Sequence, residues 1–271
     1  MDLGLKGRIA LVTGSSDGIG AEIALLLFLE GADVIIHGRN SEKVKRTCEK
    51  IRNLGKIHKN SLHEFIADAT KPKQINRFFE TIMPQIGQLD ILVNSVGGIP
   101  GIKTFNEITD KEWYNTFALN LMSAVRFNRL ALPYLMRSDQ ARIINISSAA
   151  ALQPGKTNPH YLVAKAGLVT LSKYLADDLA KYNILVNTVC PNTIKGGAWF
   201  RDVQNMAANE GLSLEEAAIK LEDSVKQKVP LKRIGTMKEV ANVVVFLASK
   251  SASFINGECI FVDGGVKRSI F

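Results

Sequence analysis

The sequence predicts an α/β protein built on a doubly wound parallel sheet in a single domain, and three observations carry that prediction. Short apolar runs alternate with amphipathic stretches from Arg8 to Val262, the pattern left by strands buried on both faces and their crossover helices. A glycine-rich turn, Gly14-Ser15-Ser16-Asp17-Gly18-Ile19-Gly20, ends the first apolar run and opens the first helix. Asp68, Asn94 and Gly97 follow the ends of later runs, on the edge where open parallel sheets bind ligands.

Composition sets the bounds. With 271 residues, 46% hydrophobic and 22% charged, the chain suits one globular domain (1–271) with a large core and excludes disorder. The net charge of +8 is dispersed, Lys43-Val44-Lys45-Arg46 being its densest run. No basic and aromatic residues interleave, so a nucleic-acid partner is not expected, whereas anionic cofactors or substrates suit the balance. Three scattered cysteines and the lack of a His-x-x-x-His pair point to a reducing compartment, without a disulfide framework or a metal site. The N-terminus lacks the apolar core of a signal peptide, and the run Ala24 to Leu29 is too short to span a bilayer. A cytoplasmic protein without a membrane partner is the expectation.

The elements follow in order. Arg8 to Thr13 reads as a buried parallel strand. After the glycine turn, Ala21 to Glu30 reads as a helix whose free amides and dipole can hold a pyrophosphate. Asp33 to His37 is the second strand, ending at Gly38-Arg39-Asn40. A carboxylate near this point would accept from a ribose diol and select NAD. Here Gly38 stands first and Arg39 next, and an arginine can pair bidentately with a 2′-phosphate. That favours NADP, with NAD the alternative, and Asp17 would repel a phosphate placed nearby. Ser41 is expected to cap a helix to about Leu54. Leu62 to Ala67 is the third strand, closed by Asp68-Ala69-Thr70, and a helix from about Lys71 to Ile86 leads to the fourth, Leu89 to Val93. Asn94-Ser95-Val96-Gly97-Gly98 follows, and then a long helix from about Asp110 to Met136 that carries Asn120 among apolar neighbours. Arg142 to Ile146 is the fifth strand, ending at Ser147-Ser148. Ile184 to Val189 is the sixth, followed by Cys190-Pro191-Asn192-Thr193-Ile194. Residues 195–229 form a helical excursion with Trp199, Phe200, Met206 and Leu212. It is expected to be a lid over the site, with a plain surface insertion as the alternative. A helix from Lys238 to Ala248, capped by Thr236 or a neighbour, and the strand Glu258 to Val262 complete the pattern before Asp263-Gly264-Gly265.

Between strands five and six, a helix running to about Tyr182 begins with Tyr161-Leu162-Val163-Ala164-Lys165. Four residues apart, the phenol and the ammonium share a helical face. A tyrosine titrating near ~10 is mistuned for proton transfer at neutral pH by roughly 4 kcal/mol. A cation about 4 Å away at an effective dielectric of ~20 supplies about as much. The spacing alone also suits an ordinary surface helix. Convergence with Ser148 and Asn120 on one sheet edge distinguishes the two readings.

Together these motifs resemble the classical short-chain dehydrogenase/reductase family, from Thr13-Gly14-x-x-x-Gly18-Ile19-Gly20 to Asp263-Gly264-Gly265. The resemblance covers nearly the whole chain and implies a Rossmann-type fold and an NAD(P)H-dependent oxidoreductase interconverting a small-molecule carbonyl and a secondary alcohol. It implies Tyr161 as general acid/base, Lys165 as the group that depresses the tyrosine pKa and holds the nicotinamide ribose, and Ser148 as the residue that orients the carbonyl. Asn120 would hold a water in a proton relay. The cofactor-binding set so implied is Gly14, Ser16, Asp17, Gly18, Ile19, Gly20, Arg39, Asn40, Asp68, Ala69, Asn94, Ser95, Gly97, Tyr161, Lys165, Pro191, Thr193 and Ile194.

The chain departs from the family in three places. Asn94-Ser95-Val96-Gly97 stands for Asn-Asn-Ala-Gly, Pro191-Asn192 stands for Pro-Gly, and Gly196 replaces a frequent threonine. Thr193 or the Ile194 backbone would then serve the nicotinamide carboxamide. Many relatives are 3-oxoacyl-carrier-protein reductases, and those that dock the carrier use basic residues where Asp139 and Tyr182 stand here, so that activity is the alternative. A nucleotide-binding regulator without turnover is a further one. The apolar lid leads to the expectation of a hydrophobic or mixed carbonyl substrate. Relatives assemble through two long helices, here those of Asn120 and Tyr161, which implies a homotetramer or dimer. The tail Lys267 to Phe271 is either a subunit contact or a frayed end.

Overall fold

The computed structural model describes residues 2–99 and 101–268. Seven parallel strands form one sheet in the order β3-β2-β1-β4-β5-β6-β9. They are β1 (Ile9–Thr13), β2 (Asp33–Gly38), β3 (Leu62–Ile66), β4 (Ile91–Asn94), β5 (Arg142–Ile146), β6 (Leu185–Pro191) and β9 (Cys259–Val262). The order reverses at β1, where Thr13 pairs with Asn94 of β4. Chain order there runs outward on both sides, so the crevice above β1 and β4 opens beyond the strand C-termini. β1, β2, β4 and β5 are buried along almost their whole length, as the continuous apolar runs require.

Helices cover both faces. One face carries α1 (Gly18–Leu29), α2 (Ser41–Leu54) and α10 (Met237–Ala248), packed through residues such as Ile23, Leu27, Cys48, Val240 and Val244. The other carries α3 (Pro72–Thr81), the short α4 (Met83–Ile86), α6 (Met122–Leu135) and α7 (Pro159–Leu179), packed around Phe79, Phe127, Leu135 and Leu179. No described helix is long and apolar enough to cross a membrane. Of the C-terminal tail, Ser269, Ile270 and Phe271 lie outside the described residues.

Four local expectations change. The helix expected over Lys71 to Ile86 divides at Ile82, because the ring of Pro84 would meet the carbonyl four residues back. Asn40, rather than Ser41, caps α2: its side chain accepts from Lys43 N–H at 2.9 Å. The long helix over Asp110 to Met136 is two helices, α5 (Asp110–Asn120) and α6, with Leu121 off helical geometry at φ −124°. The cause is tertiary: the Asn120 amide is tied to Gly98 in the loop after β4, and Leu121 packs against Gly167 of α7. The excursion after β6 also starts with a strand. Ile194–Lys195 (β7) pairs in parallel with Gly235–Thr236 (β8), a two-stranded strap that the sequence pattern did not reveal. Between them stand α8 (Gly197–Glu210) and α9 (Leu214–Lys228).

Candidate active site

The glycine turn is built for close backbone approach. At Gly20 a Cβ would lie 2.5 Å from the Gly14 carbonyl oxygen, and Gly14 itself takes φ +68°, so only glycine lets the turn close on the first residues of α1. Among the described residues the Ile19 and Gly20 N–H groups, at the start of α1, find no acceptor; such orphan donors, with the helix dipole, suit a pyrophosphate. The turn is held from below by His37, whose Nδ1 accepts the Gly14 N–H at 3.0 Å. Burial keeps that imidazole neutral, with its pKa lowered to about 4.

At the far end of the crevice the charges rearrange the expected picture. Asp17 accepts from Gly18 N–H at 2.8 Å and pairs with Lys43 Nζ at 3.1 Å. Burial works to raise its pKa, yet the hydrogen bonds from Lys43 and Gly18 outweigh it and hold the carboxylate below its ordinary value. Lys43 therefore offsets the repulsion that Asp17 would exert on a 2′-phosphate. At Gly38 a Cβ would lie 2.6 Å from Ser16 Oγ and 3.0 Å from Val44, which leaves little room there for a ribose-binding carboxylate. Arg39 is exposed beside it, and its charge reaches Asp68. Burial raises the Asp68 pKa, but the Thr70 N–H and hydroxyl, at 2.8 and 2.7 Å, hold it low. The Ala69 carbonyl accepts from Arg126. Asn40 spends its side-chain oxygen on the α2 cap. Asn94 turns inward, donating to Asn128 and Asn145 at 2.8 Å each. Its amide is spent in the core, while Ser95 N–H binds Thr13 Oγ1 at 3.0 Å.

The four polar groups expected to carry chemistry meet beside this crevice. Asn158, with a left-handed backbone, and Pro159 start α7. Asn158 also clamps the loop after β4, accepting from Lys103 N–H at 3.0 Å and donating to the Lys103 carbonyl at 2.7 Å. Nearly two turns later Lys165 is buried at 3% exposure, its Nζ donating to the Ile146 carbonyl at 2.8 Å. Ser147 donates to the Lys165 carbonyl at 2.9 Å. Gly97 sits between helices: a Cβ there would lie 2.9 Å from Asn120 Oδ1 and 3.0 Å from Lys165 Nζ. Asn120 in turn accepts from Gly98 N–H at 2.9 Å and donates to the Gly98 and Thr116 carbonyls. Lys165 Nζ lies 5.9 Å from the Tyr161 ring centre.

The electrostatics depart from expectation at the tyrosine. Burial pushes the Tyr161 phenol above its ordinary pKa, and hydrogen bonding with Ser148 works in the opposite direction without overcoming it. Lys165 does not supply the lowering anticipated from spacing alone. It is itself desolvated, its pKa brought down to about 8, and it spends a hydrogen bond on Ile146. The result is a protonated phenol backed by an ammonium.

Beyond β6 the strap between β7 and β8 fixes Thr193 and Ile194: Gly235 N–H donates to the Thr193 carbonyl at 3.2 Å, and Thr193 Oγ1 donates to Asn192. Pro191 ends β6, opposite Val262. Thr193 and Ile194 border a cavity of about 460 Å³, which also touches Leu231, Arg233, Phe261 and Gly264 but is not lined by Tyr161. The excursion closes on itself. Trp199, Val203 and Ala207 of α8 pack with Ala217 of α9 and with Ile234, while Phe200 is left exposed. Its apolar side chains mostly build its own small core, so they do not argue for an apolar substrate. Sequence reasoning missed His37, Lys43, Ser147 and Asn158. Only His37 left a signal, as a lone polar residue ending an apolar strand. Among the described residues no cluster of three His, Cys, Asp or Glu side chains could hold a metal.

The chain matches a family model described as "Enoyl-(Acyl carrier protein) reductase" over residues 14–267. It is 38% identical to the uncharacterised oxidoreductase YvrD of Bacillus subtilis, with both chains covered in full. It is 34% identical to the 3-oxoacyl-[acyl-carrier-protein] reductase FabG of Aquifex aeolicus, over 98% of this chain and 100% of that one. The structure of L-sorbose reductase from Gluconobacter frateurii, complexed with NADPH and L-sorbose, superposes with a TM-score of 0.92 at 31% identity, covering both chains fully. On the fold, the cofactor crevice and these matches, the chain belongs to the classical short-chain dehydrogenase/reductase family and is an NAD(P)H-dependent oxidoreductase acting on a carbonyl/alcohol pair.

Proposed function

We propose that the protein is an NADPH-dependent reductase of small ketones, with Tyr161 as the proton donor. The observation that carries this reading is the half-buried Tyr161 and Ser148 beside the buried Lys165 at the crevice, the phenol's pKa raised by desolvation. Reduced cofactor supplies the hydride. Hydride addition builds negative charge on the substrate oxygen, and the Tyr161 and Ser148 hydroxyls stabilise it, Tyr161 passing over its proton. Lys165 stays an ammonium below about pH 8 and lends positive charge behind the phenol. Asn120 and Gly97 keep Lys165 in place, and Ser147 anchors its backbone. The glycine turn and the Ile19 and Gly20 amides hold the pyrophosphate. Arg39, with Lys43 offsetting Asp17, selects the 2′-phosphate of NADP over NAD. The Thr193 to Ile194 segment serves the nicotinamide end. The whole chain, 1–271, is one domain, and 195–229 closes over the substrate and excludes water.

L-sorbose reductase supports ketoses as the first substrates to test, since it covers this chain fully and its complex holds NADPH. The FabG relatives favour a second reading, reduction of 3-oxoacyl thioesters. Asp139, exposed and paired with Arg8, and Tyr182 stand at positions where carrier-docking relatives have basic residues, which supports the ketose reading. Exposed Tyr114, Val163 and Tyr174 on α5 and α7 support a homotetramer or dimer through those helices, in the cytoplasm. Turnover of NADPH with L-sorbose, other ketoses and a 3-oxobutyryl thioester, in wild type and Tyr161→Phe, tests the reading. Consumption by wild type alone is expected. No consumption with any of them, or an active Tyr161→Phe variant, refutes it.

A further inference from the structure

Two thiols lie together behind the site without a part in the chemistry described above. Cys190 and Cys259 come from neighbouring strands, with their sulfurs 3.3 Å apart. They are diagonal neighbours, because Thr188 pairs with Cys259 and Cys190 pairs with Phe261. Cys190 is fully buried, whereas Cys259 is partly open on β9, the last strand at that side of the sheet. We propose that the pair is an oxidation site, at which a hydroperoxide oxidises Cys259 and Cys190 then closes a disulfide that slows turnover.

The thiolate sulfur of Cys259 attacks the terminal peroxide oxygen. The O–O bond breaks, and water or an alcohol leaves. Two electrons pass from sulfur to oxygen, and a sulfenic acid forms. The Cys190 sulfur then attacks the Cys259 sulfur. The S–OH bond breaks, and the hydroxide leaves as water with the Cys190 proton. The two thiols and one hydroperoxide thus become a disulfide, one alcohol or water, and one further water. The exposed member has the stronger thiolate character: a hydrogen bond from Cys190 and the nearby Lys267 charge lower the Cys259 pKa against burial, whereas the hydrogen bond to Cys259 and burial raise that of Cys190. Closing from 3.3 Å to about 2.05 Å draws Cys190 toward the edge strand. Cys190 follows Val189, whose carbonyl accepts from Ser147 N–H at 2.8 Å, so the closure pulls on the segment that presents Ser148 to Tyr161.

The test treats the purified protein with hydrogen peroxide. Free thiols should fall from three to one, with a Cys190–Cys259 linked peptide in the mass spectrum. These readouts need no turnover, so they stand or fall apart from the reductase reading. With a substrate in hand, turnover should fall on the order of 100-fold, the loss of one oxyanion donor, and recover with dithiothreitol. Cys259→Ser should keep its turnover through the same treatment, and Cys48→Ser should respond as wild type does. Three surviving thiols, a link through Cys48 or between two chains, or equal inactivation of Cys259→Ser would overturn the proposal.

Discussion

Lys165 should destabilise the fold at neutral pH, and Lys165→Met should reveal by how much. Its ammonium is desolvated from a pKa of 10.5 to about 8, a difference of about 2.5 and hence about 3 kcal/mol at 1.36 kcal/mol for each. Methionine removes that cost but also the hydrogen bond to Ile146, which at roughly 1.5–3 kcal/mol offsets much of it. At neutral pH the variant should therefore range from unchanged to about 2 kcal/mol more stable, while catalysis stops. The pH dependence isolates the charge. Between about 8 and 10.5 the unfolded chain keeps the proton that the folded chain has released, so wild-type stability rises with pH across that window. Below it the penalty is fully present. Urea midpoints measured from about pH 7 upward should show wild type gaining about 3 kcal/mol on Lys165→Met. Parallel curves, or a wild type that loses ground, would mean that Lys165 is not held in a desolvating site.

Three further outcomes follow from the same geometry. Arg39→Asp should weaken NADPH binding by roughly 10- to 100-fold, the value of a charged hydrogen bond, and leave NADH nearly unaffected; titration of both cofactors shows whether it does. Gly97→Ala should cut turnover at least about tenfold at a cost of roughly 1–3 kcal/mol in stability, because its Cβ would press on Asn120 Oδ1 and Lys165 Nζ; wild-type rates in that variant would remove Gly97 from the site. Ketone reduction should hold steady up to about pH 8 and decline above it as Lys165 loses its proton, while alcohol oxidation climbs with pH because it needs the phenolate. A reduction rate that increases through that range would contradict a protonated Tyr161 backed by an ammonium.

What the chain discloses before folding follows physical range. The seven apolar runs became the seven strands within a residue or two, and for the central strands the reason is that burial on both faces writes itself into consecutive residues. The candidate site was legible to the extent that a parallel sheet gathers the residues after its strands on one edge, bringing Ser148, Gly97 and the glycine turn together. Features made by tertiary contact were hidden. The break at Leu121 depends on Gly98 and Gly167, far from it in sequence. Pairing of β7 with β8 joins residues about forty positions apart and is too short to leave a period. The Tyr161 pKa followed its depth rather than its spacing from Lys165. The apolar residues of the excursion had partners of their own in Ala217 and Ile234, which no linear pattern distinguishes from a surface that greets a substrate.

The most direct test is a single-turnover comparison of wild type with Tyr161→Phe, both saturated with NADPH and given a ketose that wild type reduces. Loss of the reduced-nicotinamide absorbance reports hydride transfer, and a parallel titration reports cofactor binding. Unchanged NADPH affinity and a fall in the hydride-transfer rate of at least about 100-fold are expected, from loss of the proton donor. Hydride transfer in Tyr161→Phe within a few-fold of wild type would contradict proton donation by the Tyr161 phenol.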